Sequence, residues 1–225
     1  MTGRSRDLMK FERRLVRKGD IVAGIDEVGR GALAGPMMVG AVTIRESTKP
    51  PAGLDDSKRL TAEVREALVV PLREWAAEWS LGVVSAAEID EWGLRRALAV
   101  ASTRALEGLS VTPTHVLVDG PFNLLTVGPE NEVRDDQACP ELRFASLPVT
   151  TIIGGDQRSA VIAAAAVLAK VARDALMVEL DSEYREYCWR DNKGYGVPEH
   201  LDALRRHGTS THHRRSWNLP ERSLF

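Results

Sequence analysis

Short apolar runs recur along the chain and alternate with segments of helical periodicity. Ile21 to Val28 and Met37 to Ile44 are apolar runs with glycine or proline close to their ends, a pattern typical of buried strands. Three further runs predict strands at Trp79 to Val84, His115 to Val118 and Leu147 to Ile153. The pattern therefore predicts a sheet that is built by alternating strands and helices.

Apolar residues at helical spacing occupy the segments between these runs. The predicted helices are Thr61 to Trp79, Ala86 to Trp92, Leu94 to Leu109, the alanine-rich Ser159 to Leu180, and Pro198 to Arg206. Residues 120–145 are rich in proline, asparagine and acids, with weak periodicity, and they predict a long surface loop or hairpin. No internal repeat and no second core are visible, so we expect a single α/β domain.

Length and composition exclude several classes of protein. The 225 residues are 44% hydrophobic and 28% charged, which is typical of a globular domain. The longest apolar run, Val161 to Ala169, is well short of the roughly 20 residues that cross a bilayer. The N-terminus is charged and resembles no secretory signal, and two cysteines, Cys139 and Cys188, make no disulfide framework. We expect a cytoplasmic protein without a membrane segment.

Charge is unevenly distributed although the net charge is only -2. Residues 1–19 form a basic N-terminal segment with seven lysine and arginine residues against two acids. Residues 193–217 are also basic and hold four of the five histidines, whereas residues 130–141 hold five acids against Arg134 alone. An ordinary solvated surface and contact with nucleic acid explain the basic ends equally well.

Four acids fall at the predicted ends of strands, where functional groups gather in an open α/β sheet. Asp26 and Glu27 lie at the end of the first strand, Asp119 ends a later one, and Asp156 follows two glycines before a helix. Taken singly, Asp156 is better explained as a helix N-cap and Asp119 as part of a turn.

As a group, the four acids predict a different chemistry. Carboxylates gathered in a partly desolvated site repel one another, and their pKa values rise unless cations neutralise them. A set of carboxylates without cysteine suits Mg²⁺ or Mn²⁺. Two such ions, roughly 3.5 to 4 Å apart, can activate a water and stabilise a leaving oxygen in phosphodiester hydrolysis.

The segments around these acids resemble the ribonuclease HII family. The matching segments lie between Ile21 and Trp217 and are Gly24 to Gly31, Leu54 to Thr61, Val118 to Gly120, Gly155-Asp156, Leu168 to Asp174, Lys193 to Tyr195, and His207 to Trp217. The resemblance implies a ribonuclease H-like fold, in which a mixed β-sheet is flanked by helices. It also implies a C-terminal helical extension, residues 181–225, that binds substrate.

The resemblance implies an endoribonuclease that acts as a monomer in ribonucleotide removal during replication or repair. Its substrates would be the RNA strand of RNA/DNA hybrids and single ribonucleotides embedded in duplex DNA, which it would cut on the 5′ side. Two ions of Mg²⁺ or Mn²⁺ would serve the reaction, and the products would carry 5′-phosphate and 3′-hydroxyl ends.

Carried over residue by residue, the resemblance makes Asp26, Glu27, Asp119 and Asp156 the catalytic and metal-binding acids. Asp26 would bridge both ions, Asp156 would help hold the ion of the attacking water, and Asp119 would hold the ion near the leaving 3′ oxygen. Glu27 could contribute through its side chain or through its backbone carbonyl.

The resemblance also implies residues that recognise the ribose. Glycines in Gly29-Arg30-Gly31 let the backbone approach a sugar closely, so that main-chain groups can hydrogen-bond the 2′-OH. A tight turn after the strand would explain the same residues, and the two interpretations are compatible. Tyr195 resembles the family tyrosine that packs against the following sugar and hydrogen-bonds the 2′-OH.

Ser57, Lys58 and Lys170 would contact phosphates or support the acids. Without the resemblance, Lys58 is equally well explained as a surface charge and Lys170 as a structural ion-pair partner. Arg214 and Arg215 lie in a basic cluster that is expected to bind the nucleic-acid backbone. Such contacts carry no sequence information, so selection should depend on sugar type and groove shape.

Two departures from the family pattern and two rival functions stay open. The spacing from Asp119 to Asp156 is 37 residues, longer than is usual in the family, because of the inserted acidic loop 120–145, and Ala166 stands where many members have serine. The extra N-terminal domain of the related ribonuclease HIII is not seen. The rivals are a catalytically silent hybrid-binding protein and a metal-dependent phosphatase or nuclease of other specificity.

Overall fold

The computed structural model of the protein describes residues 7–127 and 140–222. Its five strands are β1 (Val22–Val28), β2 (Met37–Ile44), β3 (Glu78–Val84), β4 (His115–Asp119) and β5 (Val149–Ile152). Its α-helices are α1 (Lys10–Val16), α2 (Ala62–Trp75), α3 (Ala86–Trp92), α4 (Leu94–Glu107), α5 (Ala160–Asp181), α6 (Trp189–Asn192) and α7 (Pro198–His207). In the described ranges, no helix has the length and apolar character needed to cross a membrane.

The five strands form one mixed sheet in the order β3-β2-β1-β4-β5. The first three strands along the chain are antiparallel neighbours, whereas β4 and β5 run parallel to β1. The predicted α/β fold with a mixed sheet flanked by helices is confirmed. The strands and most helices lie within a few residues of their predicted positions.

Helices cover both faces of the sheet and divide the core into two layers. One layer packs α3 and α4 against residues such as Ile25, Val39 and Val118, and the other packs α2 and α5 against Val22, Val42 and Leu117. The alternation of side chains along each strand explains why neighbouring residues enter different layers. Each buried aliphatic side chain in these layers contributes about 1.5–3 kcal/mol.

Glycines allow α5 to pack directly on the central strands. A Cβ at Gly24 would lie 2.4 Å from the Val161 carbonyl carbon, and one at Gly40 would lie 2.4 Å from the Ala165 oxygen. The alanine-rich sequence of α5 gives the close approach from the other side. As a result, the N-terminal part of α5 lies over β1 just before Asp26.

Two sequence predictions differ from the structure, and helix α1 was not predicted. The helix predicted to reach Trp79 ends at Trp75, because β3 begins at Glu78 and pairs with β2. The sequence analysis assigned no helix or strand to the basic N-terminal segment, which contains α1. Residues 128–139, most of the predicted acidic loop together with Cys139, lie outside the described ranges. Before them, Leu125 is fully buried in the core rather than on the surface, because it packs with the α3–α4 layer.

The C-terminal extension packs as a small cluster around an aromatic centre. Trp189 is fully buried, stacks on Tyr187 with ring centroids 5.2 Å apart, and packs with Met177 of α5 and Leu204 of α7. Ala34, from the segment between β1 and β2, belongs to the same cluster. The extension is therefore joined to the segment that follows β1.

Candidate active site

Two of the predicted acids stand side by side at the ends of neighbouring parallel strands. The last paired residues of β1 and β4 are Ile25 and Val118, so Asp26 and Asp119 occupy equivalent positions one residue further. Because Gly24 and Leu117 pack toward α5, the alternation of side chains directs both carboxylates to that face. The sheet register therefore brings together acids that are 93 residues apart.

A tight turn before α5 adds the third acid. Gly154 adopts φ +65° in the left-handed region, and Gly155 donates its N–H to Asp119 Oδ1 at 2.6 Å. A Cβ at Gly155 would lie 2.7 Å from Ile162 Cδ1, so a side chain there would push the turn away from the sheet. The turn places Asp156 beside Asp119, with only 4% of Asp156 exposed.

The electrostatics show that these carboxylates act on one another. Burial raises the pKa of Asp26 well above its usual value, and the charges of Glu27, Asp119 and Asp156 raise it further. The N–H of Glu27 donates to Asp26 Oδ1 at 2.8 Å, which opposes the rise without cancelling it. A buried acid under these influences stays ionised only when cations compensate it.

Asp56 is a member of this cluster that sequence reasoning missed. It is buried, accepts the Lys58 N–H at 2.9 Å and the Gln157 side-chain amide at 3.1 Å, and shares a hydrogen bond with Asp156. Burial, followed by this bond and the charge of Asp56, raises the pKa of Asp156 to about 6. The sequence did contain a signal for Asp56, because the acidic pair Asp55-Asp56 lies next to Lys58 in the segment Leu54 to Thr61.

Lys58 supplies positive charge to the cluster. Burial opposes protonation of its amine, but Asp156, Asp26, Asp56 and Asp119 outweigh burial and raise its pKa. Of the two roles expected for Lys58, the structure favours support of the acids. Ser57 is buried, and its carbonyl accepts a hydrogen bond from Arg65 at 2.7 Å.

Glu27 lies apart from the other predicted acids. It follows Asp26 in β1, so its side chain starts on the opposite face of the strand, and its Oε1 lies 3.5 Å from Nη1 of Arg30. Its charge still contributes to the raised pKa of Asp26.

The donor chemistry fits a hard divalent cation, although no complete ligand set is assembled. Across residues 7–127 and 140–222, no three histidine, cysteine, aspartate or glutamate side chains are arranged to hold one ion. Asp156 is hydrogen-bonded to Asp56, and Asp119 accepts the Gly155 N–H. However, the cluster consists of buried carboxylates that repel one another, and carboxylate oxygens are the ligands that Mg²⁺ and Mn²⁺ prefer.

The Gly29–Gly31 loop leaves β1 next to these acids. Gly29 has φ +79°, and a Cβ there would lie 2.1 Å from Nε of Arg173, so no other residue fits. Arg30 and Gly31 are exposed. The loop therefore presents backbone to solvent beside Asp26 and Glu27.

Arg214 occupies a different place from the one expected of a phosphate-binding residue. Its side chain is fully buried, and its guanidinium donates to the carbonyls of Arg30 at 2.8 Å, Gly29 at 2.6 Å and Gly35 at 3.2 Å. The prediction that Arg214 contacts the nucleic-acid backbone directly is therefore wrong. A guanidinium that is bound to three protein carbonyls in the interior cannot reach a phosphate. Its neighbour Arg215 is exposed.

Arg173 is a second buried arginine that sequence reasoning did not assign. It donates to the carbonyls of Pro36 at 2.8 Å, Lys193 at 2.9 Å and Ala34 at 3.1 Å. Its guanidinium carbon lies 5.4 Å from the ring centroid of Tyr195. Arg173 thus connects the segment after the Gly29–Gly31 loop with the turn that carries Tyr195.

Two further contacts fix the Tyr195 turn and its surroundings. Lys170 pairs with Asp174 at 2.7 Å, which is the structural explanation considered for it, and its amine lies 6.0 Å from the Tyr195 ring. Nδ1 of His200 lies 3.0 Å from the Tyr195 carbonyl, and Nε2 of His200 lies 3.0 Å from Nε2 of His213. The aromatic cluster of the C-terminal extension therefore holds the backbone of Tyr195.

Comparisons with known proteins find related sequences and similar folds over most of this chain. A family model described as Ribonuclease HII matches residues 23–219. The ribonuclease HII of Geobacillus thermodenitrificans (strain NG80-2) is 45% identical over 212 residues, which are 94% of this chain and 74% of the relative. The solved structure of ribonuclease H2 from Pyrococcus horikoshii OT3 has a TM-score of 0.67 and 27% identity, covering 88% of this chain and 94% of that one.

A more distant solved structure has the same fold. The structure of Bst-RNase HIII in complex with Mn²⁺ has a TM-score of 0.61 and 17% identity, covering 92% of this chain and 68% of that one. At this level of identity, the likeness extends to the arrangement of helices and strands only.

Proposed function

The chain belongs to the ribonuclease HII family, and from this premise we propose that it cuts the phosphodiester bond on the 5′ side of single ribonucleotides embedded in duplex DNA. Family membership itself makes the chain a type 2 ribonuclease H, an endonuclease that hydrolyses the RNA strand of RNA/DNA hybrids. The proposal adds the junction substrate, the two-ion chemistry and the residues that carry each step.

The observation that carries the proposal is the grouping of Asp26, Asp119 and Asp156 beside the Gly29–Gly31 loop. Burial and mutual repulsion raise the pKa of Asp26 and Asp156, so the site favours the arrival of positive charge. The loop next to it contains the exposed residues Arg30 and Gly31. Hydrolytic chemistry and selection of ribose are thereby combined in one place.

Asp26, Asp119 and Asp156 would hold Mg²⁺ or Mn²⁺, with Asp26 shared between two ions and Glu27 contributing through its side chain or carbonyl. Ions held there would supply an activated water and stabilise the leaving 3′ oxygen, so the products would carry 5′-phosphate and 3′-hydroxyl ends. Support for a divalent ion comes from the carboxylate donor set and from the Mn²⁺ complex of a ribonuclease HIII of the same fold. The Lys58 amine would balance the acids before an ion binds.

Ribose selection in this proposal depends on hydrogen bonds to the 2′-OH. The backbone of Gly29-Arg30-Gly31 and the phenol of Tyr195 are the donors and acceptors for that hydroxyl, which is the atom that separates RNA from DNA. Arg30, Arg215, Ser57 and Lys170 would contact the phosphates that position the duplex. The substrate partners are then RNA/DNA hybrid and ribonucleotide-containing DNA, bound by a monomer that acts in ribonucleotide removal during replication or repair.

The test is cleavage of a DNA duplex that bears one ribonucleotide, with either Mg²⁺ or Mn²⁺, and with both product ends mapped. We expect incision 5′ of the ribonucleotide with 3′-hydroxyl and 5′-phosphate ends, no reaction in EDTA, and no cutting of an all-DNA duplex. Cleavage of long hybrids without incision at the single ribonucleotide would contradict the junction proposal. Cleavage of the all-DNA duplex would favour a nuclease of other specificity.

A further inference from the structure

We propose that the segment His212–Ser216, called the strap here, orients the peptide groups of the Gly29–Gly31 loop, with Arg214 as its positioning residue and Asp90 as its anchor. This inference rests on the proposed function, because it assigns the strap to ribose selection by that loop. It replaces the expectation that this basic segment as a whole binds phosphates.

Arg214 reaches the loop from the protein interior. Its guanidinium donates to the carbonyl oxygens of Gly29 and Arg30, two consecutive peptide groups, and also to that of Gly35. Hydrogen bonds from a charged donor are roughly twice as strong as neutral ones. A buried guanidinium that is engaged by three carbonyls therefore holds the loop in one conformation.

The direction of the carbonyls determines the direction of the N–H groups. The described chain contains no cis peptide bond, and in a trans peptide the C=O and the following N–H point to opposite sides. With the Gly29 and Arg30 oxygens turned toward Arg214, the N–H groups of Arg30 and Gly31 point away from it. Arg30 and Gly31 are exposed residues, and no hydrogen bond among the described residues uses their N–H groups, which leaves these donors available to a ribose hydroxyl.

Backbone pairing holds the strap against the segment that follows the loop. The Arg214 N–H donates to the Leu33 carbonyl at 2.9 Å, and the Gly35 N–H donates to the His212 carbonyl at 2.9 Å. Ala34 and His213 form an antiparallel bridge between these bonds. The strap thus acts as a short added strand, and Arg214 is the side chain it directs at the loop.

Asp90 of α3 holds the other end of the strap. Its Oδ2 accepts the Arg215 N–H at 2.8 Å, and its Oδ1 accepts the Ser216 N–H at 3.0 Å and the Ser216 hydroxyl at 2.6 Å. Three hydrogen bonds to one carboxylate, 125 residues away in sequence, fix the chain directly after Arg214. Loss of Asp90 would free that end and let the guanidinium leave its three carbonyls.

The two interpretations of the strap predict different kinetics. A phosphate-binding strap contributes equally to any duplex, whereas an orienting strap contributes only where a 2′-OH is read. The useful quantities are kcat/KM on a duplex with one ribonucleotide and the inhibition constant of an all-DNA duplex of the same length. The first reports ribose selection together with general affinity, and the second reports general affinity alone.

The experiment compares Asp90→Ala, Asp90→Asn and Arg214→Lys with the wild-type full chain. We expect Asp90→Ala and Arg214→Lys to lower kcat/KM about tenfold, as for the loss of one well-made hydrogen bond, while the inhibition constant of all-DNA duplex changes less than twofold. Asp90→Asn keeps one acceptor oxygen and should recover part of the loss. Glu107→Ala, which removes an exposed carboxylate paired with Arg143 and lies outside the C-terminal extension, is the matched control and should leave both quantities unchanged.

Thermal unfolding of each variant distinguishes a protein that does not fold from a folded protein whose Gly29–Gly31 peptide groups are wrongly oriented. If Arg214→Lys does not fold, the proposal is tested with Asp90→Ala. Unchanged kcat/KM in the folded variants would overturn the proposal, and so would a rise in the inhibition constant that equals the loss in kcat/KM. Failure of the proposed function has a separate signature, because the wild-type chain itself would not incise at a single ribonucleotide. In that case, kcat/KM of the same variants is compared on a long RNA/DNA hybrid.

Discussion

Two regions of the molecule each bury charges of one sign. The acidic sheet edge contains Asp26, Asp119 and Asp156, and the segment behind the Gly29–Gly31 loop is held by Arg173 and Arg214. The two sets of charges differ in what surrounds them. Asp26 and Asp156 lie among other carboxylates and have raised pKa values. Arg173 and Arg214 are each enclosed by three backbone carbonyls. Burial, followed by the charge of Arg173, lowers the pKa of Arg214 to about 10, so it stays protonated near neutrality.

The difference indicates that the arginines stabilise the fold, whereas the acids serve the reaction. Buried charges that make several hydrogen bonds to neutral groups hold a structure together, and removing them leaves unsatisfied partners. Buried like charges with fewer such partners repel one another, and an incoming ion relieves this repulsion. By this criterion, the acids should be dispensable for stability and essential for activity, and the arginines should be essential for stability.

The strongest test of this comparison is Asp26→Asn. We expect kcat on RNA/DNA hybrid to fall at least about a thousandfold, on the order of 4 kcal/mol, because the shared metal ligand is weakened. Thermal stability of the metal-free protein should stay the same or rise, since a repelling buried carboxylate is gone. Steady-state kinetics and thermal unfolding measure the two quantities, with the exposed Glu74→Gln as control. A variant that unfolds without losing turnover per folded molecule would contradict the comparison.

Arg173→Met should have the converse effect on stability. The substitution leaves the carbonyls of Ala34, Pro36 and Lys193 without their donor, and we expect a loss of about 3 kcal/mol, or roughly 6–12 °C in Tm. The exposed Arg205→Met is the matched control and should change stability by no more than about 0.5 kcal/mol. Denaturant and thermal unfolding check both variants. An unchanged Tm for Arg173→Met would show that the carbonyl contacts contribute little.

Acid should weaken the C-terminal extension through buried histidines. Burial, and then the charges of His200, His212 and Arg215, lower the pKa of His213 to about 3. A histidine with a folded-state pKa below its unfolded value of about 6.5 contributes stability that is complete above pH 6.5 and is lost as pH falls toward 3. At pH 5 the loss is about 2 kcal/mol.

The measurement is Tm at pH 7.5 and pH 5.0 for the wild type and for His213→Gln. The variant should be less stable at pH 7.5 and lose less stability on acidification than the wild type. Equal acid sensitivity in both proteins would assign the effect to other groups, of which buried His200, with its lowered pKa, is the first candidate.

Tyr195 lies between the two regions and should show the smallest and most selective effect. Tyr195→Ala is expected to lower kcat/KM on a single embedded ribonucleotide about tenfold, and on a long hybrid by less than about threefold, since a hybrid offers many 2′-OH groups. Tyr195→Phe keeps the ring near Arg173 and removes only the phenol oxygen, so it separates packing from hydrogen bonding. An equal loss on both substrates would argue against junction selection.

The sequence predicted most of the fold because apolar periodicity is a local signal. Strand β2 and helix α3 lie where the pattern placed them, since each buries a face that its own residues define. The acids Asp26, Asp119 and Asp156 were identifiable from their positions at strand ends. Helix α1 was missed although Phe11, Leu15 and Val16 pack on the layer of α2 and α5, because its fully buried residue is the acid Glu12, which accepts the hydroxyl of the distant Ser159 at 2.6 Å.

The partners of these residues were decided only by tertiary structure. Whether Arg214 meets a phosphate or a carbonyl depends on the antiparallel bridge between Ala34 and His213, which no local pattern encodes. The pairing of Asp56 with Asp156 depends on a contact across 100 residues. The sequence by itself determined the five strands, most of the helices and the position of the acids along the chain, because those depend on neighbouring residues. The fold determined which charges are buried, which are paired and which face outward, because burial and pairing arise only when distant segments pack.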